Sequence, residues 1–269
     1  MEKKRKSSWS FLSRGYLLLI LLFIYLPIGY VVLFSFNDSK SLTNFTGFSL
    51  RWYENMFQDR TMLQSIWYTV LVAVIATAVS TVVGTVAAIG LSKSKRVVRN
   101  IVLEINNLPV MNPDIVTAIG LMLLFISMKI ELSLLTLVLS HISFCIPYVI
   151  LSIMPKLRQL DDNVAEAALD LGATPWQALT KVIIPQILPA IISGALIAFS
   201  MSFDDFVISF FTAGVGINNI SMYVYSMKRY NPSVNALSTL IVVVVTVILI
   251  LVNVIPAIKD KKAQHKEEY

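Results

Sequence analysis

The sequence predicts an all-α, polytopic membrane protein of six transmembrane helices, and three observations carry the prediction. Of its 269 residues, 56% are hydrophobic and only 14% charged, where soluble domains carry nearer 25%. The charges fall in short segments between long apolar runs, and a bilayer is crossed by ~20 such residues. Lysine and arginine also gather on one side of the resulting topology.

The elements follow in order. Residues 1–14 are a basic segment with Lys3, Lys4, Arg5, Lys6 and Arg14. An uncharged run, 15–36, comes next. A signal peptide has an apolar region of about 7–15 residues and then a small-residue cleavage site; this run is longer and continues into Asn37 and Asp38, so it reads as a retained first span. The polar segment 37–60 carries Trp52, Tyr53 and Phe57 and is expected partly at the interface. The second span covers 63–91 and ends at the cations Lys93, Lys95, Arg96 and Arg99.

The third span, 105–128, contains the single charge Asp114, and Pro109 and Pro113 interrupt its helical hydrogen bonding. The fourth covers 132–153, with His141, Cys145 and Tyr148. After a polar loop, 154–186, the fifth span covers 187–211 and includes Asp204 and Asp205. A glycine-containing loop precedes the sixth span, 234–257, and residues 259–269 form a charged tail. Six spans put both termini and the 154–186 loop on one side. Sixteen of the 22 Lys and Arg residues lie on that side and six on the other. The positive-inside rule makes that side cytoplasmic. The basic ends flank apolar spans, so their partner is the anionic inner leaflet rather than nucleic acid.

The loop is the most informative stretch. Val164, Ala167, Ala168 and Leu171 share a helix face. Gly172 ends that helix, Thr174 caps the next, and Pro175 occupies its first position. Glu166-Ala167-Ala168, then Gly172, Val182, Ile184 and Pro185, resemble the EAA loop of ABC-importer permeases, EAA-x3-G-x9-I-x-L-P. The departures are Val182 for Ile and Ile184 for Leu. The resemblance implies a MetI-like permease whose loop is a coupling helix seated in a cytoplasmic ATPase. Glu166 would orient the elbow, Ala167 and Ala168 would touch the ATPase, and Gly172 would make the bend.

No GxxxxGK[ST] loop is present, so ATP and its Mg²⁺ are expected on a partner ATPase, with no cofactor or metal held by this chain. No catalytic constellation appears either, and the chain reads as a transport subunit rather than an enzyme. The lone Cys145 forms no internal disulfide and reads as a core residue.

Ionisable residues at membrane depth face a cavity or a partner, since insertion costs about 2.5–3.5 kcal/mol. Asp114 either lines a cavity or caps a helix resumed after Pro113, and the two roles coexist. Adjacent helical residues point about 100° apart, so at most one of Asp204 and Asp205 faces a pathway squarely while the other caps, pairs with a neighbouring subunit or reaches interfacial water; the alternative is that both are interface residues. With acids in the spans and no Lys or Arg, the pathway favours cations. Trp67, Tyr148 and Tyr223 are candidate cation–π partners, with packing as their alternative role. His141 reads as a packing residue or, alternatively, a proton relay.

The run from Ser202 to Phe211 (SFDDFVISFF), together with Pro113-Asp114-Ile115-Val116 and Asn231 to Leu237, resembles the PotC-type permeases of spermidine/putrescine importers. That resemblance implies a heterodimer with a PotB-type permease, an ABC ATPase dimer, an extracytoplasmic polyamine-binding protein, alternating access, and a place in a bacterial inner membrane. The rival readings are a permease for another small cation and a non-transporting scaffold or sensor.

Overall fold

The structure, a computed structural model, describes residues 2–161, 163–247 and 250. In chain order its helices are α1 (Glu2–Ser35), α2 (Arg51–Gln58), α3 (Arg60–Ser92), α4 (Arg96–Met111), α5 (Asp114–Ser127), α6 (Leu134–Gln159) and α7 (Asn163–Asp170). Then follow α8 (Pro175–Gln177), a π-helical stretch (Ala178–Ile183), α9 (Ile184–Phe203), α10 (Val207–Thr212), α11 (Ile220–Tyr225) and α12 (Ser233–Val247). The single β feature among the described residues is a bridge between Asn37 and Phe48.

The all-α reading stands, but among the described residues the count of clear spans is smaller than six. Among the described residues, four stretches are long and apolar enough to cross a bilayer: Arg14–Ser35, Arg60–Ser92, Leu134–Gln159 and Pro175–Phe203. A fifth span exists if α4 and α5 are taken together, and these bend by 105°. The expected third span, 105–128, with its interruption at the prolines, is thus two helices, the first of them starting earlier, at Arg96. Its break lies at Asn112-Pro113, because proline lacks an N–H and forces the preceding residue out of the helical region. Asn112 has ψ 148°, whereas Pro109 is accommodated inside α4. The fifth span is corrected likewise: α9 ends at Phe203, and α10 begins only at Val207. Of the expected sixth span, α12 covers the first part; residues 251–257 and the 259–269 tail lie outside the described residues.

The chain divides into two compact units, residues 1–63 with 227–269, and residues 64–226. In the first, Asn37 organises the segment after α1. Its amide donates to the carbonyls of Ser41 and Asn44 at 3.2 and 2.9 Å, and its Oδ1 accepts from the Thr46 N–H at 2.9 Å. The Trp52 indole donates to the Asn37 carbonyl at 2.6 Å. Trp52 is thus 2% exposed, a buried anchor instead of the interfacial residue expected, while Phe57 remains exposed.

In the second unit α6 is the central helix. Its buried Cys145, Val149, Ile150 and Ile153 pack with Ile187 and Ala198 of α9. Small residues allow this closeness, as is usual between membrane helices. The Ser152 hydroxyl donates across to the Ala190 carbonyl at 3.0 Å, and the Cys145 thiol to the Ala198 carbonyl at 3.4 Å. On the other flank, a Cβ on Gly84 of α3 would stand 2.7 Å from the Val149 Cγ1, so only glycine fits there.

Candidate functional site

Two places in the second unit gather the polar groups singled out from sequence. The first is the elbow between α7 and α9. Leu169 and Ala168 accept from the N–H groups of Gly172 (2.9 Å) and Ala173 (3.0 Å), the paired bonds of a Schellman ending. Gly172 has φ +87°, the left-handed conformation that glycine adopts without Cβ strain. Thr174 then opens the next helix with a capping box. Its hydroxyl accepts from the Gln177 N–H at 3.3 Å, while the Gln177 side-chain oxygen accepts from the Thr174 N–H at 2.9 Å. Pro175 holds the first helical position, where its missing N–H leaves no bond unmade.

Glu166 and Ala167 are exposed on α7, and Ala168 is half-buried. Val182 and Ile184 are half-buried in the π-helical stretch and the start of α9, followed by exposed Pro185. Leu171 is 89% and Trp176 71% exposed, so the elbow carries bulky apolar groups at its turn.

The second place is the broken end of α9. Asp204 closes that helix and is exposed. Asp205 turns inward, with its side chain 7% exposed. One of its oxygens accepts from the Ile208 N–H at 3.1 Å and the other from the Ser209 N–H at 2.8 Å. The carboxylate thereby satisfies the first turn of α10, whose N–H groups have no helical partner. Asp205 also lies 3.5 Å from Nε2 of His141 on α6.

His141 is itself buried, with Nδ1 2.7 Å from the Ser202 hydroxyl and Nε2 3.0 Å from the Ser209 hydroxyl. Asn219 closes the network. Its amide donates to the Ser209 hydroxyl at 2.8 Å and to the Asp205 carbonyl at 2.6 Å, and its Oδ1 accepts from the Met222 N–H at 2.8 Å. All members are satisfied, which stiffens a buried polar network. His141 is thus a hydrogen-bonded packing residue whose acidic neighbour arrives from a distant part of the chain.

The network fixes the loops around exposed Asp204. Ser221 donates to the Asp204 carbonyl at 3.3 Å, and the N–H of Ile220 donates to Thr69 of α3 at 2.8 Å. On the same α11 sit Tyr223, half-buried, and Tyr225, whose ring lies 4.8 Å from Phe206 and 6.1 Å from Phe210. The turn after α9 thus carries exposed Asp204 and, two residues on, half-buried Phe206, whose ring meets Tyr225 of α11.

Asp114 is the exposed first residue of α5. It stands at the positive end of that helix and within electrostatic range of Tyr148. Tyr148 is half-buried and packs edge-on with Phe144 at 5.4 Å. Trp67 is 61% exposed on α3. Sequence reasoning missed Glu104: α4 begins nine residues before the expected third span, placing Glu104 within a helix, where it lines a cavity of about 420 Å³ with Asn107 and Arg158. Asn219 was also missed; an Asn before a short apolar run was the available capping signal.

Comparison with known proteins bears on the arrangement. Residues 80–264 match the family described as "Binding-protein-dependent transport system inner membrane component". The chain is 38% identical over 234 residues to the putrescine transport system permease protein PotI of Escherichia coli, covering 84% of this chain and 83% of PotI. It is 35% identical over 243 residues to the spermidine/putrescine transport system permease protein PotC of Haemophilus influenzae, covering 90% and 95%. Among solved structures, a chain of a bacterial ABC transporter that imports the acidic polysaccharide alginate superposes with a TM-score of 0.72 at 16% identity, covering 94% of this chain and 95% of that one. That likeness is one of fold.

Proposed function

Since the chain belongs to the binding-protein-dependent transport inner membrane permeases, as a PotC/PotI-like homologue and a transport subunit rather than an enzyme, we propose that it carries polyamines, spermidine or putrescine, into the cytoplasm. A permease of this kind is a multi-pass inner membrane protein that works with an ATPase and a binding protein. The observation that carries the reading is Asp204, exposed at the break between α9 and α10, two residues before Phe206, whose ring packs with Phe210 and Tyr225. A carboxylate with aromatic faces suits a linear polycation, which takes a charge partner at one nitrogen and cation–π contacts nearby. Asp114 with Tyr148 offers a second pairing of the same chemistry.

The transport cycle follows from the elbow. A PotB-type permease completes the pathway as a heterodimer, and ATP with Mg²⁺ acts on the ATPase dimer, leaving this chain without a cofactor. Closure of the ATPase dimer moves the elbow through Glu166, Ala167 and Ala168. The rigid turn at Gly172 and the capped start at Thr174 transmit that movement into α9, at whose far end Asp204 lies. The pathway opens outward to receive polyamine from the extracytoplasmic binding protein, and hydrolysis returns it inward. Both termini are cytoplasmic.

The test is uptake of labelled spermidine in cells with and without this chain, challenged by excess putrescine, arginine or phosphate. Uptake lost on deletion and competed by putrescine alone is the expected result. Uptake that survives deletion would return the substrate to unknown.

A further inference from the structure

Behind the elbow the second unit contains a cavity of about 390 Å³ that the transport reading leaves unused. Three cations, Lys93, Arg99 and Arg158, line it with one acid, Asp161. Among the described residues, Asp161 forms no ion pair with any of the three. Its Oδ1 instead accepts from the Asn163 N–H at 3.0 Å. The Nε of Arg99 is buried and, among the described residues, has no hydrogen-bond partner. A buried guanidinium nitrogen without an acceptor is costly, and its natural complement is an oxyanion, which the planar Arg fork engages bidentately.

Apart from Ser92, the remainder of the wall is apolar, with Ile89, Leu157 and Ile183 from the ends of α3, α6 and the π-helical stretch. A cationic recess with an apolar side, on the face that the positive-inside rule assigns to the cytoplasm, matches an amphiphile with an anionic head. Basic pockets between helices at this depth take anionic headgroups.

We propose that this cavity binds the phosphate group of an anionic inner-leaflet phospholipid, with Arg99 as its principal contact and Lys93 and Arg158 completing the charge. The bound headgroup bridges the α3–α4 turn and the end of α6. Leu169, Pro175 and Leu179 of the elbow line the same cavity, so occupancy braces the elbow against the spans. The site goes beyond polyamine transport and needs only that this face meet the inner leaflet.

The test uses the purified full-length chain in detergent, with lipid retention read by native mass spectrometry. The probes are phosphatidylglycerol, zwitterionic phosphatidylcholine and inorganic phosphate. The expected result is phosphatidylglycerol retained about tenfold more tightly than phosphatidylcholine, a difference that a few net cations supply. Arg99→Gln should lower that preference to within about twofold. Asp161→Asn keeps the Oδ1 acceptor and removes the acid, and should strengthen retention, so the proposal stays testable if the arginine variant folds poorly. A preference unchanged in Arg99→Gln, or weakened in Asp161→Asn, overturns the site. Displacement of phosphatidylglycerol by millimolar phosphate would assign the site to free phosphate and overturn the lipid; retention under that challenge supports it. Because the readout is binding, its failure is distinct from a failure of the substrate assignment.

Discussion

Asp204 and Asp205 are neighbours in sequence with opposite surroundings, and the difference separates transport from folding. Asp205 holds two backbone N–H groups of α10 and sits beside His141. Asp205→Ala leaves those buried donors unsatisfied, a loss of about 1–3 kcal/mol, and should lower the melting temperature and yield of the purified chain. Asp204→Asn removes only an exposed charge and should leave melting unchanged while reducing polycation uptake; the reverse pattern would exchange the two roles. The sequence already required that two adjacent acids diverge, because neighbouring helical positions point apart. Which one turned inward was not legible, since the partners that decide it, His141 and Asn219, lie far from Asp205 along the chain.

At the level of elements, the elbow was readable because its signals are local. Gly172, Thr174 and Pro175 each act within a few residues, and each occupies the conformation that its chemistry favours. Gly172→Asp places a side chain at positive φ, which costs about 1–2 kcal/mol, on a turn proposed to carry force. Insertion and abundance of this variant should be normal in membrane fractions, with ATP-driven uptake lost; normal uptake would remove the coupling role. The α4–α5 pair was only half legible. Pro113 announced a break, but the 105° bend is a tertiary outcome, and the polar start of α4 hid Glu104 from a reading based on apolar runs.

Packing between elements gives a further expectation. Gly84 of α3 lies against Val149, and Gly84→Leu would force these helices apart, at about 1–3 kcal/mol for overpacking. Its melting temperature in detergent should fall, and a shortened Val149→Ala in the same chain should restore part of the loss. Absence of any rescue would place the strain elsewhere.

Over the whole molecule, apolar periodicity and charge asymmetry were sufficient for an all-α membrane protein, and the family match and shared fold agree with that. The span count is where the structure departs from the apolar runs. A helix broken at an acidic turn, as between α9 and α10, keeps the composition of one long span while its helix is interrupted over residues 204–206. Such breaks are tolerated at membrane depth where the backbone is buried in protein or lines water, and here Asp205 satisfies the freed groups. The exposed Asp204 at that break joins the architecture to the proposed substrate.

The most direct measurement is accumulation of labelled spermidine in proteoliposomes holding the purified transporter with this chain, its partner permease and its ATPase, supplied with the binding protein. The account predicts ATP-dependent accumulation that excess putrescine suppresses and Asp204→Asn diminishes. Accumulation of arginine in place of spermidine, or spermidine transport indifferent to Asp204→Asn, would contradict it.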